Sequence, residues 1–211
     1  MATAMMKRGV KAGARKQEQA GFSLIEVMLS IVILTVGLVS LAGVFGLAMA
    51  STQTTQLDMI AKQLANEAYE SIVTARNTSQ IDWDEIQNNA GTQYCTDLPS
   101  PCGIFIGSAG VAQFQPIYNA GADGIFGTAD DANAGEETLR EPGPDGTYGD
   151  VDDIQIPLTT FQRAIQIAPV FDASGNIEPS LRSVTITVEY QTPKLRVMKT
   201  YVLNSFISQY Q

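Results

Sequence analysis

The sequence predicts an α+β fold. One long N-terminal helix, with a membrane half and an amphipathic half, packs on a small antiparallel sheet, and an Asp/Gly-rich loop is inserted before the sheet. Three observations predict it. Phe22 to Ala50 is an apolar run holding one charge, Glu26. Leu57, Ile60, Ala61, Leu64, Ala68 and Ile72 then recur at helical spacing on one face. The C-terminal part, residues 160–207, alternates apolar and polar side chains with the period of a strand.

The first element is a cationic segment, residues 1–21, with Lys7, Arg8, Lys11, Arg15 and Lys16 against Glu18. Its balance is +4, and with −9 for the 211-residue chain the remainder carries −13. It reads as a targeting leader and is set aside from the fold. The apolar run that follows is long enough, at ~1.5 Å per residue, to cross a hydrocarbon core of about 30 Å. Basic residues before it and an acidic segment after it place the leader in the cytoplasm and the rest outside. Glu26 is costly here: ~2.5–3.5 kcal/mol at the centre of a membrane helix, and less near its end. Such a carboxylate needs a partner.

Gly21-Phe22-Ser23-Leu24-Ile25-Glu26-Val27 resembles the cleavage and methylation motif of type IV prepilins and type II secretion pseudopilins. The resemblance implies a type IV pilin-like fold and cleavage between Gly21 and Phe22 by a prepilin peptidase, with methylation of the new Phe22 amine. It also implies that Glu26 serves assembly, neutralising the Phe22 amine of a neighbouring subunit in the filament core. The partners implied are other pilins or pseudopilins and the inner-membrane assembly platform. The chain is expected as a single-pass inner-membrane protein and then in a pilus or pseudopilus, its head in the periplasm or outside the cell. Val36–Gly43 and Ala65–Ile72 look most similar to the PilV type of minor pilin. Two alternatives stand beside a minor pilin: a minor pseudopilin of a type II secretion system, and a membrane-anchored calcium-binding or adhesive protein outside any filament.

Within residues 22–50, Ser30, Gly37, Ser40, Ala42, Gly43 and Gly46 allow close approach of neighbouring helices. Gly37 and Gly43 are weak points where the helix could loosen, at ~0.8–1 kcal/mol each against alanine. Residues 51–77 continue the helix as its amphipathic half, which should end near Asn77–Ser79. Residues 78–211 form the head. Its first part, 78–120, is a connector with Trp83 and two short runs that read as strands, Gly103–Ile106 and Phe114–Tyr118. Cys95 and Cys102, exported and close in sequence, read as one local disulfide; the alternative is two free thiols.

Residues 121–154 hold a repeat. Gly121–Ala132 and Gly143–Ile154 both read Gly-x-Asp-Gly-x-aromatic-Gly-x-x-Asp-Asp-x. Asp123, Asp130 and Asp131 could converge through the glycine turns, as could Asp145, Asp152 and Asp153. Calcium takes 6–8 oxygen ligands, so three carboxylates make a reasonable core for it. The pattern is similar to the acidic calcium loop of some major pseudopilins. The alternative is a mobile acidic loop: from Gly121 to Asp153 there are ten Asp/Glu and one Arg, which repel each other without a cation.

Three strands follow, Phe161–Ala168, Ser183–Tyr190 and Leu195–Phe206, with a turn at Asp172–Asn176. One face of this meander should cover Ala61, Leu64, Ala68 and Ile72. The chain has no histidine, no nucleophile elbow and no phosphate-binding Gly-Lys loop, so an enzyme is not expected. The acidic head argues against a nucleic-acid partner.

Overall fold

The computed structural model describes residues 21–89, 95–108, 111–192 and 196–210. The leader before Gly21 and the expected strand start at Leu195 lie outside them. The chain divides into two units, Met1–Ala48 and Met49–Gln211.

Helix α1, Leu24–Asn77, contributes to both. In the first unit its hydroxyl groups turn inward on the backbone. Ser30 donates to Glu26 O at 2.7 Å, Thr35 to Val32 O at 2.8 Å and Ser40 to Val36 O at 2.8 Å. No polar group of these side chains is then left for lipid to solvate. The helix stays regular through Gly37, Gly43 and Gly46. It ends as the sequence suggests, with Ser79 left-handed at φ 55°. Gln80 N donates to Ala75 O at 2.9 Å and Ser79 N to Arg76 O at 3.1 Å, which is the Schellman closure.

The second unit is built on a four-stranded antiparallel sheet. Its strands are β3, Gln115–Pro116; β6, Phe161–Phe171; β7, Ile177–Gln191; and β8, Met198–Ser208, in the order β3-β6-β7-β8. Two smaller pairs accompany it: β1, Gly107–Ser108, with β2, Val111–Ala112; and β4, Thr138–Glu141, with β5, Ile154–Pro157. Phe161 lies opposite Tyr190, and Val188 opposite Tyr201, so odd positions of β6 and even positions of β7 share one face. That face, Phe161, Ile165 and Ile167 with Val184, Ile186, Val188 and Tyr190, is buried. It meets Ala61, Leu64, Ala65, Ala68, Ile72 and Ala75 of α1, all at 2% exposure or less. Four of those six are alanines, which bring the helix axis close to the sheet.

β6 and β7 extend beyond the expected bounds, β8 starts later than expected, at Met198, and runs on to Ser208, and β3 adds a fourth strand. The expected strand at Gly103–Ile106 is instead a single bridge between Phe105 and Asn88, with pairing starting at Gly107. The expected strand at Phe114–Tyr118 shrinks to β3, because Pro116 offers no N–H. The β4–β5 hairpin and the short helix α2, Asp131–Ala134, are additions to the sequence reading.

Candidate functional site

The first candidate site is the start of α1. Gly21 and Phe22 precede the helix, and Glu26 lies in its first turn with its N–H on Ser23 O at 3.0 Å. Phe22 is 82% exposed, and from Leu24 to Met49 every large apolar side chain stands clear of the chain's own packing. An 18-residue window of α1 reaches a mean hydropathy of 2.5, with none of it buried. An apolar surface of that extent is not left in water. It asks for lipid or for helices of other subunits, and Glu26 is the only ionisable side chain on it.

The second site is the repeat, which is structural as well as sequential. Asp123 Oδ1 accepts from Ile125 N at 2.8 Å, and Asp145 Oδ1 from Thr147 N at 2.8 Å. Asp131 Oδ2 accepts from Gly127 N at 2.6 Å, and Asp153 Oδ2 from Gly149 N at 2.8 Å. Gly124 and Gly146 take φ 69° and 75°; Gly127 and Gly149 take 88° and 99°, a region costly for any residue with a Cβ. Gly121 is pressed against the Asp130 carboxylate as Gly143 is against that of Asp152.

Asp123, Asp130 and Asp131 come together, each offering an oxygen within 4.8 Å of the others. In the second copy the cluster is Asp145, Asp150 and Asp152. Asp153, expected there, turns to Gly149 N and to Arg140 Nε at 3.7 Å. Arg140 belongs to β4. Asp150 takes the place that Thr128 holds in the first copy, where the Thr128 hydroxyl donates to Asp130 Oδ1 at 2.6 Å. Because the shared pattern is variable at that position, aligning the two copies does not single out Asp150. That hydroxyl bond, foremost, holds the Asp130 carboxyl below its ordinary range, whereas burial pushes Asp131 up.

The donor set suits a hard cation. Two oxygens that share an ion at ~2.4 Å lie at most ~4.8 Å apart; one oxygen of each aspartate in a cluster lies within that limit of the others, and all are carboxylates. The first cluster rests on the core, beside buried Ile125 and Phe126, and the second is exposed.

Arg163 is a site residue that strand alternation alone did not single out. It is 5% exposed and donates to Leu64 O at 3.2 Å, and its guanidinium stacks on Phe126 at 4.5 Å. Asp131, Glu67 and Glu137 face it. Cys95 and Cys102 are joined in a disulfide, Cα to Cα 5.8 Å. Behind it Gln87 Nε2 donates to Cys102 Sγ at 2.9 Å. The Asp84 carboxylate accepts from Thr96 N and Asp97 N at 2.6 and 2.8 Å, which pins the loop to the core.

Residues 16–42 match the family model described as the prokaryotic N-terminal methylation motif. The match supports the prepilin and pilin family. A pilin or pseudopilin of this kind is a structural subunit, processed by prepilin peptidase and assembled with other pilins. The motif together with the apolar helix is consistent with anchoring in the inner membrane before assembly. No curated protein and no solved structure matches the chain.

Proposed function

We propose that the chain is a minor pilin of a type IV pilus, cut between Gly21 and Phe22, methylated on the Phe22 amine and assembled through Glu26. The observation that carries this is the exposed apolar half of α1 with one carboxylate in its first turn, inside the matched motif. In a low-dielectric filament core an unpaired Glu26 is costly, and so is an unpaired Phe22 ammonium. Joined between neighbouring subunits, the two offset that cost and set the axial register. Val36–Gly43 and Ala65–Ile72 resemble the PilV type of minor pilin in sequence, and we read the chain as of that type.

A second reading, a minor pseudopilin of a type II secretion system, is favoured by the convergence of Asp123, Asp130 and Asp131. The two separate by where the processed chain is found. Mass spectrometry of filaments sheared from the native cell should show a peptide beginning at methylated Phe22. Glu26→Gln should be cut and inserted yet absent from the sheared fraction. Methylated Phe22 confined to membranes favours the pseudopilin. An uncut chain everywhere sinks both readings, and normal incorporation of Glu26→Gln removes the pairing mechanism.

A further inference from the structure

The second copy of the acidic repeat is built like the first but is not packed like it. In the first copy the aromatic Phe126 is 9% exposed, beneath the Arg163 guanidinium. The next residue, Gly127, lies against the Ile165 side chain. One strand, β6, thus supplies a guanidinium and an aliphatic branch, and the aromatic turn of the repeat seats between them. In the second copy the equivalent aromatic, Tyr148, is 67% exposed, Val151 fully exposed and Ile154 53% exposed. Tyr148 and Val151 lie in the loop that joins β4 to β5, with Asp145, Asp150 and Asp152 exposed among them, and Ile154 opens β5. The aromatic is common to both copies, but the second copy leaves it exposed, beside two aliphatic side chains, Val151 and Ile154, where the first copy has Ala129 and Ala132.

A second exposed surface stands elsewhere on the head. Ahead of edge strand β8, Arg196 is exposed, followed by Val197 at 53% and Met198 at 51%, with Val202 on the same strand face as Met198. Here an exposed arginine adjoins exposed aliphatic residues in the chain. The signs are complementary, three exposed carboxylates against an arginine. Among the described residues, two other basic groups of these strands are already paired: Arg140 with Asp153, and Lys199 with Asp58 at 3.3 Å.

We propose that the Tyr148, Val151 and Ile154 patch of one chain docks on the Arg196–Val197–Met198 turn of a second copy of the same chain. Tyr148 lies under Arg196 as Phe126 lies under Arg163, and the three carboxylates flank the guanidinium. The contact is heterologous. Each chain carries both halves, so it propagates head to tail. It goes beyond the subunit reading and does not depend on cleavage at Gly21.

The test is cross-linking of two differently tagged full-length chains, one Val151→Cys and the other Val197→Cys, co-expressed and treated in membranes with a short bismaleimide. The only native cysteines are joined in the Cys95–Cys102 disulfide and do not compete. The expected product is a dimer bearing both tags. Its yield should be at least about fivefold above that of Val151→Cys paired with Ser174→Cys, an exposed control in the β6–β7 turn. Arg196→Glu on the Val197→Cys chain, and independently Tyr148→Ala on the Val151→Cys chain, should each lower it about fivefold. A mixed dimer no stronger than the control overturns the proposal. So does a yield untouched by both substitutions, or an equally strong dimer from either single variant alone, which would mean an isologous contact.

Discussion

At the scale of single residues, the head is held by polar side chains that act as pieces of backbone. Asn88, 1% exposed, is the clearest. Its Nδ2 donates to Ile165 O at 2.9 Å, and its Oδ1 accepts from Ile167 N at 3.0 Å. β3 pairs with β6 only at Gln162 and Arg163, so Asn88 continues the ladder where that strand has ended. Asn88→Ala leaves a buried carbonyl and a buried N–H of β6 without partners, at ~1–3 kcal/mol each. We expect a loss of about 2–4 kcal/mol in urea unfolding of residues 49–211, with Asn88→Asp also destabilising because it removes the Nδ2 donor. A loss below about 1 kcal/mol would show that water replaces the side chain. This role was not legible in the sequence, where Asn88 sits in a stretch without periodicity. The Cys95–Cys102 pair was legible, because the sequence has two cysteines, seven residues apart, and they allow one intramolecular pairing.

At the scale of elements, what the sequence revealed and what it hid follow from period and length. β6, β7 and β8 alternate over many residues, and α1 keeps an apolar stripe, so both declared themselves. β4 and β5 have four residues each and lie at the surface, and α2 is one turn grown out of an aspartate run, too short for any period to show. The packing of α1 on β6 carries a further feature, the charges gathered around Arg163. Glu137 Oε2 is buried without a hydrogen-bond partner among the described residues. Burial, with repulsion from Glu67 and against attraction by Arg163, pushes its carboxyl up to about 6. A carboxyl raised on folding binds its proton more tightly in the native state. Its stabilising contribution is therefore fully present below about pH 4.5 and is lost as pH rises through about 6. Burial raises Glu67 and Asp131 as well, with the same sign, while Asp84 and Asp130, both lowered, act oppositely as pH falls. Glu137→Gln isolates one group from this mixture. Its melting midpoint should match that of the parent near pH 4.5 and exceed it by a few degrees at pH 7.5. A constant difference across that range would mean that Glu137 does not titrate there.

At the scale of the whole molecule, the two units meet their needs differently. The apolar span of α1 is exposed among the described residues and calls for lipid or neighbouring helices. The second unit has its own core of helix, sheet and the first repeat copy. The two acidic clusters therefore have unequal leverage on stability, although their loops are alike. The first is tied to the core through Ile125, Phe126 and the Asp131 bonds to Gly121 and Gly127. Calcium held by Asp123, Asp130 and Asp131 would be released when the unit unfolds. At about 100 times its Kd it would add ~2.7 kcal/mol to global stability. The second cluster lies on the β4–β5 hairpin tip, which can open while the core stays folded, so calcium there would steady the hairpin and leave the global midpoint in place. Thermal melts of residues 49–211 with calcium and with chelator should then differ by several degrees. Asp130→Asn should abolish the difference and Asp152→Asn should preserve it. Coincident melts would reject calcium at the first cluster. A difference abolished by Asp152→Asn would move the dominant site to the hairpin and make that hairpin part of the cooperative core.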